Sequence, residues 1–125
     1  MSKVCICGSR DFDKSLALVF IARELTKDDV LICGMARGVD TFAYEYASTN
    51  GICIKEYPAK WHEFGRSAGM IRNRCMVKDC DRIVAIWDGT SAGTANTISL
   101  ASKYGKPCRV YLQKDADKFD TVNRD

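Results

Sequence analysis

Histidine is nearly missing: His62 is the single one in 125 residues. Any serine-based acyl transfer that relies on an imidazole base therefore has one candidate for that role. Cysteine is present seven times, yet the count is odd and no C-x-x-C pair occurs, which removes the usual thiolate pairs of structural zinc and of disulfide exchange. Cys5, Cys7, Cys33, Cys53 and Cys108 lie in or beside apolar, strand-like runs and read as small buried hydrophobes in a reducing compartment. Cys75 and Cys80, on and just after a helix, read as more accessible. No metal centre and no cofactor are expected.

No apolar run reaches the length of a membrane span, and the start, M-S-K-V-C-I-C-G, lacks an apolar h-region with a cleavage site. The expectation is a cytoplasmic protein with no membrane partner. Charge of one sign is also lacking: 19 Lys and Arg against 16 Asp and Glu leave a net +3. The basic residues are dispersed rather than gathered in the stripe that binds a duplex, so nucleic acid is not an expected partner. There is no internal repeat and no low-complexity linker. A chain of 125 residues at 46% hydrophobic content has enough for one core, so residues 1–125 read as a single domain.

What is present is a strict alternation of strand and helix. Val4 to Cys7 is a first strand, and Asp13 caps a helix from about Lys14 to Thr26 whose apolar run, Leu16 to Ala22, predicts cover almost all round. Val30 to Cys33 is a second strand. The next helix places Val39, Phe42, Ala43, Tyr46 and Ala47 on one apolar stripe, and Gly51 ends it. A third strand, Ile52 to Tyr57, leads at Pro58 into an irregular segment through Trp61, His62 and Phe64 to Gly65. Ser67 caps a third helix to about Lys78, Arg82 to Trp87 is a fourth strand, and a fourth helix stops at Gly105 with Pro107 just beyond. Cys108 to Leu112 is a fifth strand, and 113–125 is an edge strand or a frayed tail. About five strands with crossover helices predict an α/β, Rossmann-like three-layer domain with a mainly parallel sheet covered on both faces.

Right-handed crossovers put every strand-to-helix loop at the carboxyl edge of such a sheet, where open α/β sheets bind ligands. The loops Gly8 to Asp13, Gly34 to Asp40, Ala59 to Gly65 and Asp88 to Thr94 are thus expected to meet there. Their content suits a phosphorylated ligand. Gly8, Ser9 and Arg10 offer backbone, hydroxyl and guanidinium donors; Gly34, Arg37 and Gly38 repeat the arrangement; Gly89, Thr90, Ser91, Gly93 and Thr94 form a small-residue turn into a helix N-terminus, which holds an anion on its free N–H groups. Trp61 is placed to stack on a ring.

Two patterns in these loops look more specific than they are. Gly89-Thr90-Ser91-Ala92-Gly93 fits the G-x-S-x-G nucleophile elbow, but the base of that fold follows the serine, and His62 precedes Ser91. Gly34-x-x-x-Gly38 lacks the Lys-Ser/Thr of a P-loop.

Five motifs in register resemble a known family: G-S-R-D-F-D at Gly8 to Asp13, C-G-M-A-R-G-V-D at Cys33 to Asp40, Y-P-A-K-W at Tyr57 to Trp61, A-G-M-I-R-N-R-C-M at Ala68 to Met76, and W-D-G-T-S-A-G-T at Trp87 to Thr94. Together they are similar to the YspA/YpsA-related branch of the SLOG superfamily, over the chain to about Val110. The resemblance implies a Rossmann-like fold and binding of a nucleotide or nucleotide-derived ligand, NAD and ADP-ribose relatives included. It also implies pairing through helices, hence a homo-oligomer, and adds Arg72 and Asn73, the branch's R-N pair, as ligand contacts. The superfamily includes the LOG phosphoribohydrolases and DNA-processing protein A, whose G-x-A-x-G-I-D is similar to Gly34 to Asp40.

LOG enzymes carry P-G-G-x-G-T-x-x-E, whose glutamate assists N-glycosidic cleavage; aligned on Gly93-Thr94, that position is Thr97, with Asn96 before it. Cleavage through an oxocarbenium-like state needs a carboxylate, and only Asp88, Asp40 or Glu63 on other parts of the chain can supply one. The expected function is therefore binding of a nucleotide-derived small molecule, NAD- or ADP-ribose-like or a cyclic nucleotide signal, by a sensor or, in a phage, a sequestering protein. The alternatives are N-glycosidic hydrolysis through Asp88 or Asp40, and single-stranded DNA binding.

Overall fold

Alternate residues of the first strand serve opposite sides of one sheet. Val4 and Ile6 pack with Ala17, Phe20, Ile21, Val39, Ala43 and Ala47, whereas Cys5 and Cys7 pack with Met76, Val77, Cys80 and Ala101. This two-sided burial follows from the period-two geometry of a strand and makes the sheet the middle of three layers. The structure, a computed structural model, describes residues 2–113. Its strands are β1 (Lys3–Gly8), β2 (Val30–Cys33), β3 (Cys53–Glu56), β4 (Arg82–Trp87) and β5 (Cys108–Leu112). All pair in parallel in the order β3-β2-β1-β4-β5. Helices α1 (Lys14–Glu24) and α2 (Val39–Thr49) cover one face, and α4 (Ala68–Asp79) and α5 (Ala92–Lys103) the other. The fold is thus α/β and Rossmann-like. The notional strand or tail at 113–125 lies, beyond Gln113, outside the described residues.

The local chemistry explains most of the boundaries. Asp13 accepts the Leu16 N–H at 3.3 Å and starts α1; Val39, Ala43 and Ala47 are fully buried along α2, with Phe42 and Tyr46 at the margin of the same core. Four expectations need correction. Helix α1 is not covered all round: Val19 is 44% exposed, because the sheet and α2 occupy only one side of it. The segment after Pro58 is not irregular throughout, since it holds a one-turn helix α3 (Trp61–Phe64), closed at Gly65 with φ +59°, and a 3-10 turn from Gly65 to Ser67. Ser67 precedes α4 but makes no capping bond, its backbone already being in the helical region as that turn runs into the helix. Cys53 is exposed and Cys80 buried, the reverse of their expected settings, because β3 is an outer strand and Cys80 closes α4 beneath the sheet.

The order places the change of winding direction between β1 and β4. From β1 the chain moves outward through β2 to β3, then returns to add β4 and β5 on the other side. The loops that leave β1 and β4 therefore part company there, opening a crevice at the carboxyl edge. Among the described residues no helix is long and apolar enough to cross a membrane.

Candidate functional site

Ser9 ties the loops of the crevice together. It follows β1 directly and is fully buried. Its N–H donates to the Ile86 carbonyl of β4 at 3.1 Å, its carbonyl accepts the Val39 N–H at 3.2 Å, and its hydroxyl accepts the Asp88 N–H at 2.9 Å. One residue thus anchors the turns after β1, β2 and β4. Such close approach needs glycine at two positions. A Cβ on Gly8 would stand 2.2 Å from the Ile86 carbonyl oxygen. At Gly38, with φ +79°, it would stand 2.5 Å from backbone atoms of Ser9 and Arg10.

The loop after β4 is organised by Asp88. Its Oδ1 accepts the Thr90 and Ser91 N–H groups, both at 2.8 Å, and its Oδ2 lies 2.8 Å from the Ser91 hydroxyl, which is also 3.1 Å from Ser9 Oγ. Those two backbone donors, then the hydroxyls, hold the Asp88 carboxyl well below the usual carboxylate range. With so many donors the carboxylate is an Asx-type brace and a poor proton acceptor. Ser91 stands at the N-cap of α5 without a side-chain capping bond, and the first intrahelical acceptance is Ala95 N–H to the Ser91 carbonyl at 3.1 Å. The N–H groups of Ala92, Gly93 and Thr94 come before it, so they have no intrahelical acceptor.

The opposite wall is built from α2 and α4. Asp40, in the first turn of α2, is 5% exposed, and its Oδ2 accepts the Ala36 N–H at 3.2 Å. Burial pushes its carboxyl up to about 6, against the opposing pull of that N–H and of Arg72. Arg72 donates through Nη1 to the Gly34 carbonyl, and its Nε donates to Asn73 Oδ1 at 3.0 Å. Asn73 Nδ2 in turn donates to Asn96 Oδ1 at 3.1 Å, joining α4 to α5. The R-N pair is therefore no free helix surface; it spans the bottom of the crevice. Cys7 forms part of the floor, its thiol pushed well up by burial and then by the Asp40 charge, so it stays protonated and unreactive.

Between the walls lies a cleft of about 340 Å³. Of the residues expected to contact a ligand, Gly8, Ser9, Arg10, Asp40, Arg72, Asn73, Ser91, Gly93 and Thr94 line it. Gly34 and Gly38 are buried just behind, where they let Arg72 and the β1 loop approach. Arg37, Trp61, Asp88, Gly89 and Thr90 are not among the lining residues. Trp61, 57% exposed, sits beyond Arg72 with its ring toward Gly69. The reason is topological: Trp61 follows β3, the outermost strand, two strands from the switch. The lining also includes Cys7, Asp11, Ala36, Met76, Ala92 and Thr97. Asp11, Ala36, Met76 and Ala92 stand inside the motif stretches and Thr97 at the compared glutamate position; Cys7 looks like an ordinary core residue. Thr97 is buried, with its hydroxyl on the Gly93 carbonyl at 3.3 Å.

Known proteins share this fold and part of its sequence. Gene 61 protein of Mycobacterium phage D29 is 32% identical over 117 residues, covering 86% of this chain and 94% of the relative. Among solved structures, DNA processing protein A from Helicobacter pylori, described for its single-stranded DNA binding mode, superposes with a TM-score of 0.68 at 26% identity over 87% of this chain. The Streptococcus pneumoniae DNA processing protein A has a TM-score of 0.71 at 20% identity over 88%. A structural-genomics protein, TM1055, has 0.63 at 20% over 86% of this chain and 72% of its own. This chain spans 64% and 50% of the two DNA processing proteins, and the likenesses at 20% identity concern the fold alone. The family model of the YspA, cpYpsA-related SLOG proteins matches residues 2–64, half of the chain. The chain belongs to the YspA, cpYpsA-related SLOG family.

Proposed function

We propose that the cleft binds a nucleotide-derived small molecule, with a phosphate on the first turn of α5. The observation that carries this is the set of N–H groups at Ala92, Gly93 and Thr94, which line the cleft without intrahelical acceptors. Arg10 at the mouth and Arg72 on the facing wall add positive charge. Family membership and the likeness to DNA processing proteins support nucleotide- or DNA-related binding in general; an NAD- or ADP-ribose-like ligand, sensed or sequestered, is our finer reading. Binding is preferred to hydrolysis because Asp88 is committed to bracing its loop and Thr97 has only a hydroxyl to offer.

The test is titration calorimetry with ADP-ribose, NAD and AMP, backed by native mass spectrometry of the protein as purified. One-to-one binding is expected, lost in Gly93→Asp. No neighbouring atom lies within 4 Å of a Cβ at Gly93, and an acidic residue in a first helical turn favours the helix, so this variant folds while repelling phosphate. Absence of binding and of any copurified nucleotide overturns the reading, as does a Gly93→Asp protein that binds unchanged. Chromatography of the same mixtures for free base tells hydrolysis from binding.

Single-stranded DNA is the second reading, favoured by the 26% identity to the Helicobacter pylori protein. The mild charge argued against nucleic acid, and that likeness weakens the argument. Fluorescence anisotropy with a labelled oligonucleotide is its measurement, with an affinity falling steeply with salt as the supporting outcome.

A further inference from the structure

Five polar side chains in the cleft wall are at least nine-tenths buried: Ser9, Asp40, Asn73, Thr94 and Thr97. Three of them are occupied by the protein. The Ser9 hydroxyl takes the Asp88 N–H and meets Ser91. Both ends of the Asn73 amide are held, by Arg72 and Asn96, and the Thr97 hydroxyl is on the Gly93 carbonyl. The other two are not. Asp40 Oδ2 takes the Ala36 N–H, but Oδ1 has no protein donor, and neither has the Thr94 hydroxyl a protein partner, among the described residues. Both atoms still reach open space, since among the described residues no buried side-chain oxygen is left unsatisfied out of contact with it. A carboxylate oxygen with so narrow an opening to water is poorly hydrated, and a bound group with an O–H or N–H can take the place of that water.

The two free groups stand on opposite walls and ask for opposite chemistry. Thr94 lies in the first turn of α5 beside the free backbone donors and suits an anion. Asp40 accepts only and repels phosphate, so it faces the part of the ligand that carries hydroxyl or amine hydrogens. A nucleobase has hydrogens of that kind, but among the described residues no aromatic side chain lines the cleft; of the two guanidinium planes that could stack on a base, Arg72 is tied to Gly34 and Asn73, which leaves Arg10 at the mouth. A lining of small residues with one open carboxylate oxygen and one open hydroxyl suits a sugar. We propose that the cleft selects ribose over deoxyribose, with the free oxygen of Asp40 accepting a hydrogen bond from the 2′- or 3′-hydroxyl of a nucleotide whose phosphate lies on α5. The base then projects outward. This inference rests on the binding reading above, and it separates a ribonucleotide ligand from DNA.

The experiment titrates the intact protein with AMP and ADP-ribose and, for whichever binds, with its 2′-deoxy and 3′-deoxy forms. At least one deoxy form is expected to bind about tenfold or more weakly, the worth of a hydrogen bond to a charged acceptor. In Asp40→Asn the amide oxygen can still take the Ala36 N–H, while a donor replaces the acceptor facing the cleft. That variant is expected to melt no lower than the wild type, to lose the preference for ribose, and to bind the deoxy form as before. If both deoxy forms bind within twofold of the parent, the sugar assignment is overturned and the binding reading stands. The assignment also falls if Asp40→Asn keeps the full preference. If neither AMP nor ADP-ribose binds, the sugar assignment falls, and the binding reading is decided by NAD and by any copurified nucleotide. Should Asp40→Asn misfold, the wild-type ratios alone decide.

Discussion

Two carboxylates are buried to the same degree at opposite edges of the sheet, Asp40 at 5% exposure and Glu24 at 7%, and they are partnered very differently. Glu24, at the end of α1, receives Arg82 at 3.0 Å on one oxygen and Arg109 and the Tyr111 hydroxyl at 3.2 and 3.1 Å on the other; Arg82 also donates to the Glu24 carbonyl at 2.6 Å. Asp40 has one backbone N–H and an oxygen left over. A fully bonded buried carboxylate pins a helix to strands and needs nothing further, whereas one bonded on a single side leaves an acceptor open to the cleft, where the proposed sugar would bind. Burial alone does not tell the two edges apart; their donors do.

The largest effect that would break this comparison is at the structural edge. Glu24→Ala takes the carboxylate away from the Tyr111 hydroxyl and from Arg82, which keeps only the residue 24 carbonyl, and a loss of about 3 kcal/mol is expected in urea unfolding. Arg109, two-thirds exposed, contributes little of it. Nucleotide binding by the folded variant should be unchanged.

Asp40→Asn should act in the opposite direction, with a gain of about 2 kcal/mol at pH 7. The folded protein holds the Asp40 proton up to about pH 6, above the value of about 4 in an unfolded chain. The folded state therefore binds more protons between those values, and wild-type stability falls as pH rises from about 4 to about 6, then levels off. Arg72 faces the carboxylate from α4, the Cys33 and Cys7 thiols from the sheet, and Arg10 and Asp11 share the cleft. Burial pushes both thiols up, away from that window, and every group but Asp40 is common to the two proteins, so the difference between wild type and Asp40→Asn isolates the slope. Parallel curves would show that Asp40 carries no such strain.

Smaller still, Ser9→Ala removes the hydroxyl that accepts the Asp88 N–H and meets Ser91. It should lose about 1 kcal/mol in thermal unfolding and weaken nucleotide binding by loosening the loop before α5. Trp61→Ala sharpens the boundary of the site. It should change stability by less than about 0.5 kcal/mol, as exposed positions do, and leave the ribose preference intact. A lost preference would bring the β3 loop back into the site.

Much of the fold was legible in the order of residues. The spans of β2, β4 and β5 read directly from their apolar runs, and the stripe Val39, Ala43, Ala47 predicted the buried face of α2. A one-turn helix such as α3 is too short to display a period, so it read as irregular. The site was legible as a set of loops and not as a set of partners. Gly89 to Thr94 looked like one anion cradle, whereas Asp88 and Thr90 serve the loop itself and the donors that remain open begin at Ala92.

The sequence by itself determined the alternation of strand and helix, hence a parallel sheet with every strand-to-helix loop at one edge, because periodicity and turn chemistry are local. Which of those loops meet was decided by strand order. That order results from long-range pairing across β1, which sets the loops of β1 and β4 at the switch and moves Trp61 to the rim. The same packing buries Asp40 and Glu24 alike and supplies donors to both oxygens of only one, since donors such as Arg82 and Arg109 come from strands far along the chain.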